Sequence, residues 1–122
     1  MRGMDVFNFG LSVVPSGIKE ILKLLDMEIE DVDLIHFHQA NRFMTDFFAK
    51  KLKFPLERVP YSLEYFGNTS AASIPLNMAY TMYDGSYPRR KHVLMAGFGA
   101  GLAWGTAYLS LENLRISQLI EY

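Results

Sequence analysis

Four residues, His38-Gln39-Ala40-Asn41, fall where a strand-like run ending at Phe37 gives way to an amphipathic helix. In α/β folds, such junctions at the carboxyl ends of strands are where ligands sit. A helix N-terminus carries partial positive charge and disfavours imidazolium, so a histidine held there stays neutral and can donate a hydrogen bond near pH 7. The same residues also read as ordinary architecture, with Gln39 or Asn41 capping the helix and His38 a polar strand end. His36 and His38 share a strand face by their period of two, but no third ligand stands nearby to make a metal site of them.

Two further stretches carry potential chemistry. Gly67-Asn68-Thr69-Ser70-Ala71-Ala72-Ser73 joins a glycine turn to a helix of small residues. Asn, Thr and Ser are natural caps, but alanines following three small polar residues also suit close approach by a ligand or another helix. Gly97-Phe98-Gly99-Ala100-Gly101 links two apolar runs. It reads as a hairpin turn, and equally as a turn whose exposed amide hydrogens hold an oxyanion.

The elements that must position these residues read as βαβαββ, an α/β unit with a mixed sheet flanked by helices. Met4 to Phe9 is expected as a short strand or lead-in, and a helix starts at Ser16, with Ile18, Ile21, Leu22 and Leu25 on one face. Leu34 to Phe37 is a buried strand. Ala40, Phe43, Met44, Phe47, Phe48 and Leu52 mark a second helix, and Val59 to Leu63 suggests another short strand. A third helix, about Ser70 to Tyr83, is apolar on nearly every side and should be buried all round, with something packed over it. His92 to Phe98 and Leu102 to Leu111 are expected as antiparallel neighbours.

Composition narrows the classes. The chain's 122 residues suit one domain or a piece of a larger one, and 50% hydrophobic content excludes disorder. A formal net charge of −1 gives no reason to expect nucleic acid or an anionic membrane. Pro88-Arg89-Arg90-Lys91-His92 is the one basic run, and it reads as a solvated loop before a buried strand. The absence of cysteine removes disulfides, thiolate metal sites and a cysteine nucleophile. No apolar stretch approaches the roughly 18 residues of a membrane span. Asp5 and Asn8 interrupt any signal-peptide core, so a cytoplasmic setting is the default.

Together and in order, "HQAN", "GNTSAASIP" and "GFGAGLAWG" resemble the C-terminal half of a thiolase-fold condensing enzyme, most closely beta-ketoacyl-acyl-carrier-protein synthase III. "RGMDVFNFG" near the start is similar to the segment that opens that half. The resemblance implies a Cys–His–Asn triad working with two backbone amides. The cysteine takes an acyl group from acyl-CoA, and malonyl-acyl-carrier protein then decarboxylates and attacks the thioester. It puts the histidine role on His38, the asparagine role on Asn68, and one oxyanion-hole amide on Ala100. Alanine is tolerable there, where glycine is common, only with negative φ. Phe98 and Gly99 would border the substrate channel and Asn41 would line its pantetheine part. No cofactor and no metal are implied.

The chain departs from the family in three places. Arg42 directly follows "HQAN", whereas an arginine one position later is the one linked to carrier-protein docking; Phe43 stands there, so Arg42 is a weaker candidate for that contact. Phe66 replaces a histidine often found before "GNTS". The nucleophilic cysteine belongs to the family's N-terminal half, so residues 1–122 are expected to be a single C-terminal half-domain, inactive alone. Its implied partners are that N-terminal half and, when complete, a second copy in a homodimer. Related condensing enzymes of quinolone, polyketide or long-chain ketone synthesis, or a non-catalytic module that binds carrier protein, are the alternative readings.

Overall fold

A 22-residue helix, α1 (Gly3–Leu24), opens the chain in the computed structural model, which describes residues 3–121. The expected strand over Met4–Phe9 is therefore its first turns, and the βαβαββ order loses its leading strand; Arg2 of the quoted opening segment lies outside the described residues. Pro15 and the glycines around it hide a continuous stripe: Phe7, Leu11, Val14, Ile18, Ile21 and Leu22 face the core. Proline inside a helix costs about 3 kcal/mol. Burying Val14, Ile18 and Leu22 offsets this, at roughly 1.5–3 kcal/mol for each such side chain.

Three strands form one mixed sheet in the order β1-β2-β3. β1 (Leu34–Phe37) runs parallel to β2 (Val93–Gly99), with Ile35 opposite Leu94 and His36 opposite Met95. β2 runs antiparallel to β3 (Ala103–Leu109), with Phe98 opposite Trp104. Helices α1 and α2 (Arg42–Leu52) cover one face, where Val14, Ile18, Met44 and Phe48 meet Ile35, Phe37 and Leu94. Helix α4 (Ser73–Met82) lies against the other, where Met82 joins Leu34, Val93 and Leu111. β1 is buried on both faces, with Ile35 and Phe37 on one and Leu34 and His36 on the other. β3 has one row of half-covered side chains, and Trp104 is 47% exposed.

The basic run serves the sheet. The Asp33 carboxylate accepts from the backbone N–H groups of Lys91 and His92, each at 3.0 Å, pinning the loop to the start of β1. Arg90 donates to the carbonyl of Leu114.

Two further expectations change. Val59–Leu63 forms no strand: Leu56–Arg58 is a 3₁₀ turn and α3 (Leu63–Phe66) a single helical turn. Pro60 has no N–H for a ladder, and the Ser62 amide is taken by the Gln39 side chain. Helix α4 is not buried all round. A 3₁₀ turn at Ser70–Ala72 leads into it, and it buries Ser73, Asn77 and Met82, while Ile74, Leu76 and Met78 stay partly open to solvent. Among the described residues, no helix is long and apolar enough to cross a membrane.

One close approach ties α1 to the chemistry-bearing end of β2. A Cβ added at Gly10 would lie 2.6 Å from the Phe98 ring and 2.7 Å from the Met44 methyl. Gly→Ala in a helix interior normally gains about 1 kcal/mol, but overpacking costs typically 1–3 kcal/mol. Gly10→Ala is therefore expected to lower stability. A denaturant midpoint at or above that of the unaltered protein would show that the contact yields without cost.

Candidate active site

His38 lies just past β1, yet its N–H still donates to the Ala96 carbonyl at 2.8 Å, so strand pairing fixes its backbone. Gln39 then turns inward. Its amide donates to the Phe37 carbonyl at 2.9 Å and accepts from the Ser62 N–H at 3.2 Å, which leaves this polar side chain buried and satisfied. Asn41 caps α2, its Oδ1 accepting from the Met44 N–H at 2.9 Å. The choice between Gln39 and Asn41 as cap thus falls to Asn41, and Asn41 is not among the residues lining the cleft described below.

A polar seam joins β1 to α4. His36 and His38, two apart on the strand, meet Asn77 and Ser73, four apart on the helix. The Nδ1 atoms lie 2.6 Å from Asn77 Oδ1 and from Ser73 Oγ, respectively. The two spacings nearly match: two strand residues rise about 6.6 Å and four helix residues about 6 Å. Asn77 Nδ2 donates onward to the Pro60 carbonyl at 3.2 Å and to Ser62 Oγ at 3.0 Å, so its Oδ1 must accept from His36 Nδ1–H. His36 Nε2 is buried and has no partner among the described residues. A proton there would be a desolvated charge, and burial pushes the His36 pKa down to about 4, partly countered by the bond to Asn77. Burial also lowers the pKa of His38 below its ordinary 6.5, which keeps it neutral near pH 7.

Above the seam opens a cleft of about 690 Å³, which His38, Asn68, Ser70, Phe98, Gly99 and Ala100 help to line. The Phe98 ring stands edge-on to the His38 ring, 5.5 Å between centroids, and forms a wall. Asn68 Oδ1 accepts from the Ser70 N–H at 2.9 Å, in a turn where Ser70 takes φ of +53°. That bond fixes which end of the amide is which and leaves the NH₂ free to donate. Among the described residues, positive φ outside glycine occurs at Asp26, Lys53, Ser70 and Tyr87, so Ala100 meets the condition set for it, and Gly101 takes the turn's positive φ of 138°.

The structure thus brings His38, Asn68, Phe98, Gly99 and Ala100 to one cleft and leaves Asn41 and Arg42 outside its lining. Arg42 stacks over the Tyr61 ring at 4.2 Å and pairs with Asp46 at 3.4 Å on the surface. Hydrogen-bond donors facing a shared cleft suit the stabilisation of an anion. Sequence reasoning did not single out Ser62 or Asn77, and noticed Ser73 only as part of a cap. The signal for Ser73 and Asn77 was the matched spacing of His36/His38 with Ser73/Asn77; Ser62 had none.

Residues 22–111 match the family model described as 3-oxoacyl-[acyl-carrier-protein (ACP)] synthase III C terminal. The beta-ketoacyl-[acyl-carrier-protein] synthase III of Clostridium perfringens is 39% identical over 111 residues, covering 91% of this chain and 34% of that protein. A crystal structure of 3-oxoacyl-(acyl-carrier protein) synthase from Burkholderia xenovorans superposes with a TM-score of 0.87 at 36% identity, over 98% of this chain and 34% of that one. The Thermus thermophilus synthase III gives 0.83 at 38% identity, over 90% and 34%. The chain therefore spans about a third of the length of the relatives it matches.

The seam makes stability pH-dependent. The unfolded chain binds a proton on His36 near 6.5 and the folded chain only near 4, so between these values the unfolded state holds more protons and stability falls as pH falls. His36 should contribute a loss of roughly 3 kcal/mol across that window, levelling off below it. Denaturant midpoints from pH 7 to 4 should fall more steeply for the unaltered protein than for His36→Gln. Parallel slopes would mean that His36 is not buried neutral.

Proposed function

This chain belongs to the family of C-terminal regions of 3-oxoacyl-[acyl-carrier-protein] synthase III, and from that premise we propose that it supplies the anion-stabilising half of a decarboxylative condensation. The reaction is acyl transfer from acyl-CoA followed by condensation with malonyl-acyl-carrier protein, the step that starts a fatty-acid chain. The observation that carries this reading is the convergence of His38, Asn68 and the Ala100 turn on one cleft.

A thiolate is needed to take the acyl group, and these 122 residues contain no cysteine. The nucleophile then comes from the N-terminal half of the enzyme, and residues 1–122 act as the C-terminal half-domain. When that thiolate attacks acyl-CoA, negative charge collects on the former carbonyl oxygen, and in this reading the Ala100 N–H receives it. CoA leaves as the thiol. The malonyl thioester next enters with its carbonyl oxygen between His38 and the Asn68 NH₂. As the carboxylate departs as CO₂, the electron pair moves towards that oxygen, and the two donors stabilise the resulting enolate. Its carbon attacks the acyl thioester, expelling the cysteine thiolate and forming the 3-oxoacyl product. Neutral His38 and amide Asn68 both suit this task, since each donates without introducing a charge that would titrate near neutrality.

Phe98 and Gly99 border the acyl channel in this reading, and the surface Arg42 is the residue offered to the carrier protein. The reaction takes place in the aqueous phase of the cytoplasm, where CoA esters and carrier protein are dissolved, and the complete enzyme is a homodimer.

In enzyme that includes the cysteine-bearing half, His38→Ala and Asn68→Ala should each lower condensation by about 10²–10³, the range seen when one preorganised donor is removed. Incubated alone with acetyl-CoA, the 122-residue chain should gain no acetyl group by mass. Full activity in both variants, or stable acetylation of the isolated chain, would overturn the assignment.

A further inference from the structure

Ser73 is the residue whose bonding decides where the proton of neutral His38 resides. Its hydroxyl is buried and has two partners among the described residues: the Gln39 N–H at 3.3 Å and His38 Nδ1 at 2.6 Å. The Gln39 N–H can only donate, so Ser73 Oγ accepts there. If His38 Nδ1 also donated, Oγ would accept twice and its own hydrogen would have no acceptor in a buried setting. If Nδ1 accepts, every atom of the triangle is used once.

We propose that Ser73 is a positioning residue that holds His38 in its Nε2–H tautomer, presenting a proton and not a lone pair to the cleft. This rests on the catalytic reading of His38 but concerns a different fact, the proton's location. The neighbouring pair shows the opposite outcome by the same logic. Asn77 offers His36 an acceptor, and His36 keeps its hydrogen on Nδ1. One helix, through two residues four apart, thus gives adjacent histidines opposite tautomers. An Asn at position 73 with its oxygen turned to Nδ1 would leave His38 aiming a lone pair at an anion.

The test is nitrogen NMR of the protein with ¹⁵N-labelled histidine at neutral pH, which distinguishes protonated from bare ring nitrogens. His38 should show a bare, hydrogen-bonded Nδ1 and a protonated Nε2, while His36 shows the reverse. Ser73→Ala should lower the tautomer ratio roughly fivefold, the amount one neutral hydrogen bond commands, and so move the averaged His38 Nε2 resonance downfield, toward the position of a bare nitrogen. Ser73→Thr, which keeps a hydroxyl, should restore both, and the His36 signature reports that each variant is folded. A His38 protonated on Nδ1 in the unaltered protein would overturn the proposal, even if Ser73→Ala did not fold. So would a folded Ser73→Ala protein with unchanged resonances. The spectrum needs no substrate, so it separates from the condensation assay: wrong tautomer with an inactive His38→Ala enzyme sinks this inference and leaves His38 required for the reaction in a role other than donor. The expected tautomer with a fully active His38→Ala enzyme sinks the catalytic reading alone.

Discussion

The hydrogen bond between His36 and Asn77 joins two fully buried polar side chains, one at the centre of the strand buried on both faces and one on the helix that covers it. Removing either partner would strand the other in the core at a cost of about 1–3 kcal/mol. That penalty makes the pair a registration device. Sliding α4 by one residue turns Asn77 about 100° around the helix axis, away from His36 and from Pro60 and Ser62 together. Only one seating of helix on strand satisfies all these groups, and it is the seating that puts Ser73 beside His38. Apolar contacts alone, such as Met82 on Leu34, would tolerate a slip far more readily.

The cleft follows a common rule. Asn68 spends its acceptor on the Ser70 N–H, and what remains directed outward is a donor. Backbone N–H groups of the turn after β2 have the same polarity by construction. A site built this way prefers ligands that are accumulating negative charge over those that carry hydrogens to give. The preference costs no reorganisation, because each group is held by a bond made inside the chain.

The sequence disclosed this unevenly, for reasons visible in particular residues. β1, α2 and the β2–β3 hairpin were legible because their apolar residues are dense over a short span, as at Leu34, Ile35 and Phe37. α1 was obscured by Pro15: the rule that proline ends helices is local, and burial of Val14, Ile18 and Leu22 is not. Val59–Leu63 looked like a strand by composition, but none of the three strands among the described residues pairs with it. At the site, His38, Asn68 and the Ala100 turn were legible through ordered motifs. Asn77 and Ser62 were not, because a buried polar residue with its partners satisfied resembles any other Asn or Ser until the partners are known. Arg42 attracted attention by its place directly after "HQAN", yet its surroundings, Tyr61 and Asp46, are those of a surface side chain held by its own neighbours.

β3 closes one edge of the sheet, as β1 closes the other. For β3, β2 takes one row of its backbone groups, no strand among the described residues pairs with the other, and Trp104 and the neighbouring Leu102 are exposed. Such an edge is a template for pairing with another chain. Folding of the core is first order in protein and indifferent to how many copies share the solution. Edge pairing is second order. Dilution therefore leaves the seam and the cleft untouched while slowing edge encounters with the square of the concentration, so a tenfold dilution gives the folded chain about ten times longer before it meets its neighbour.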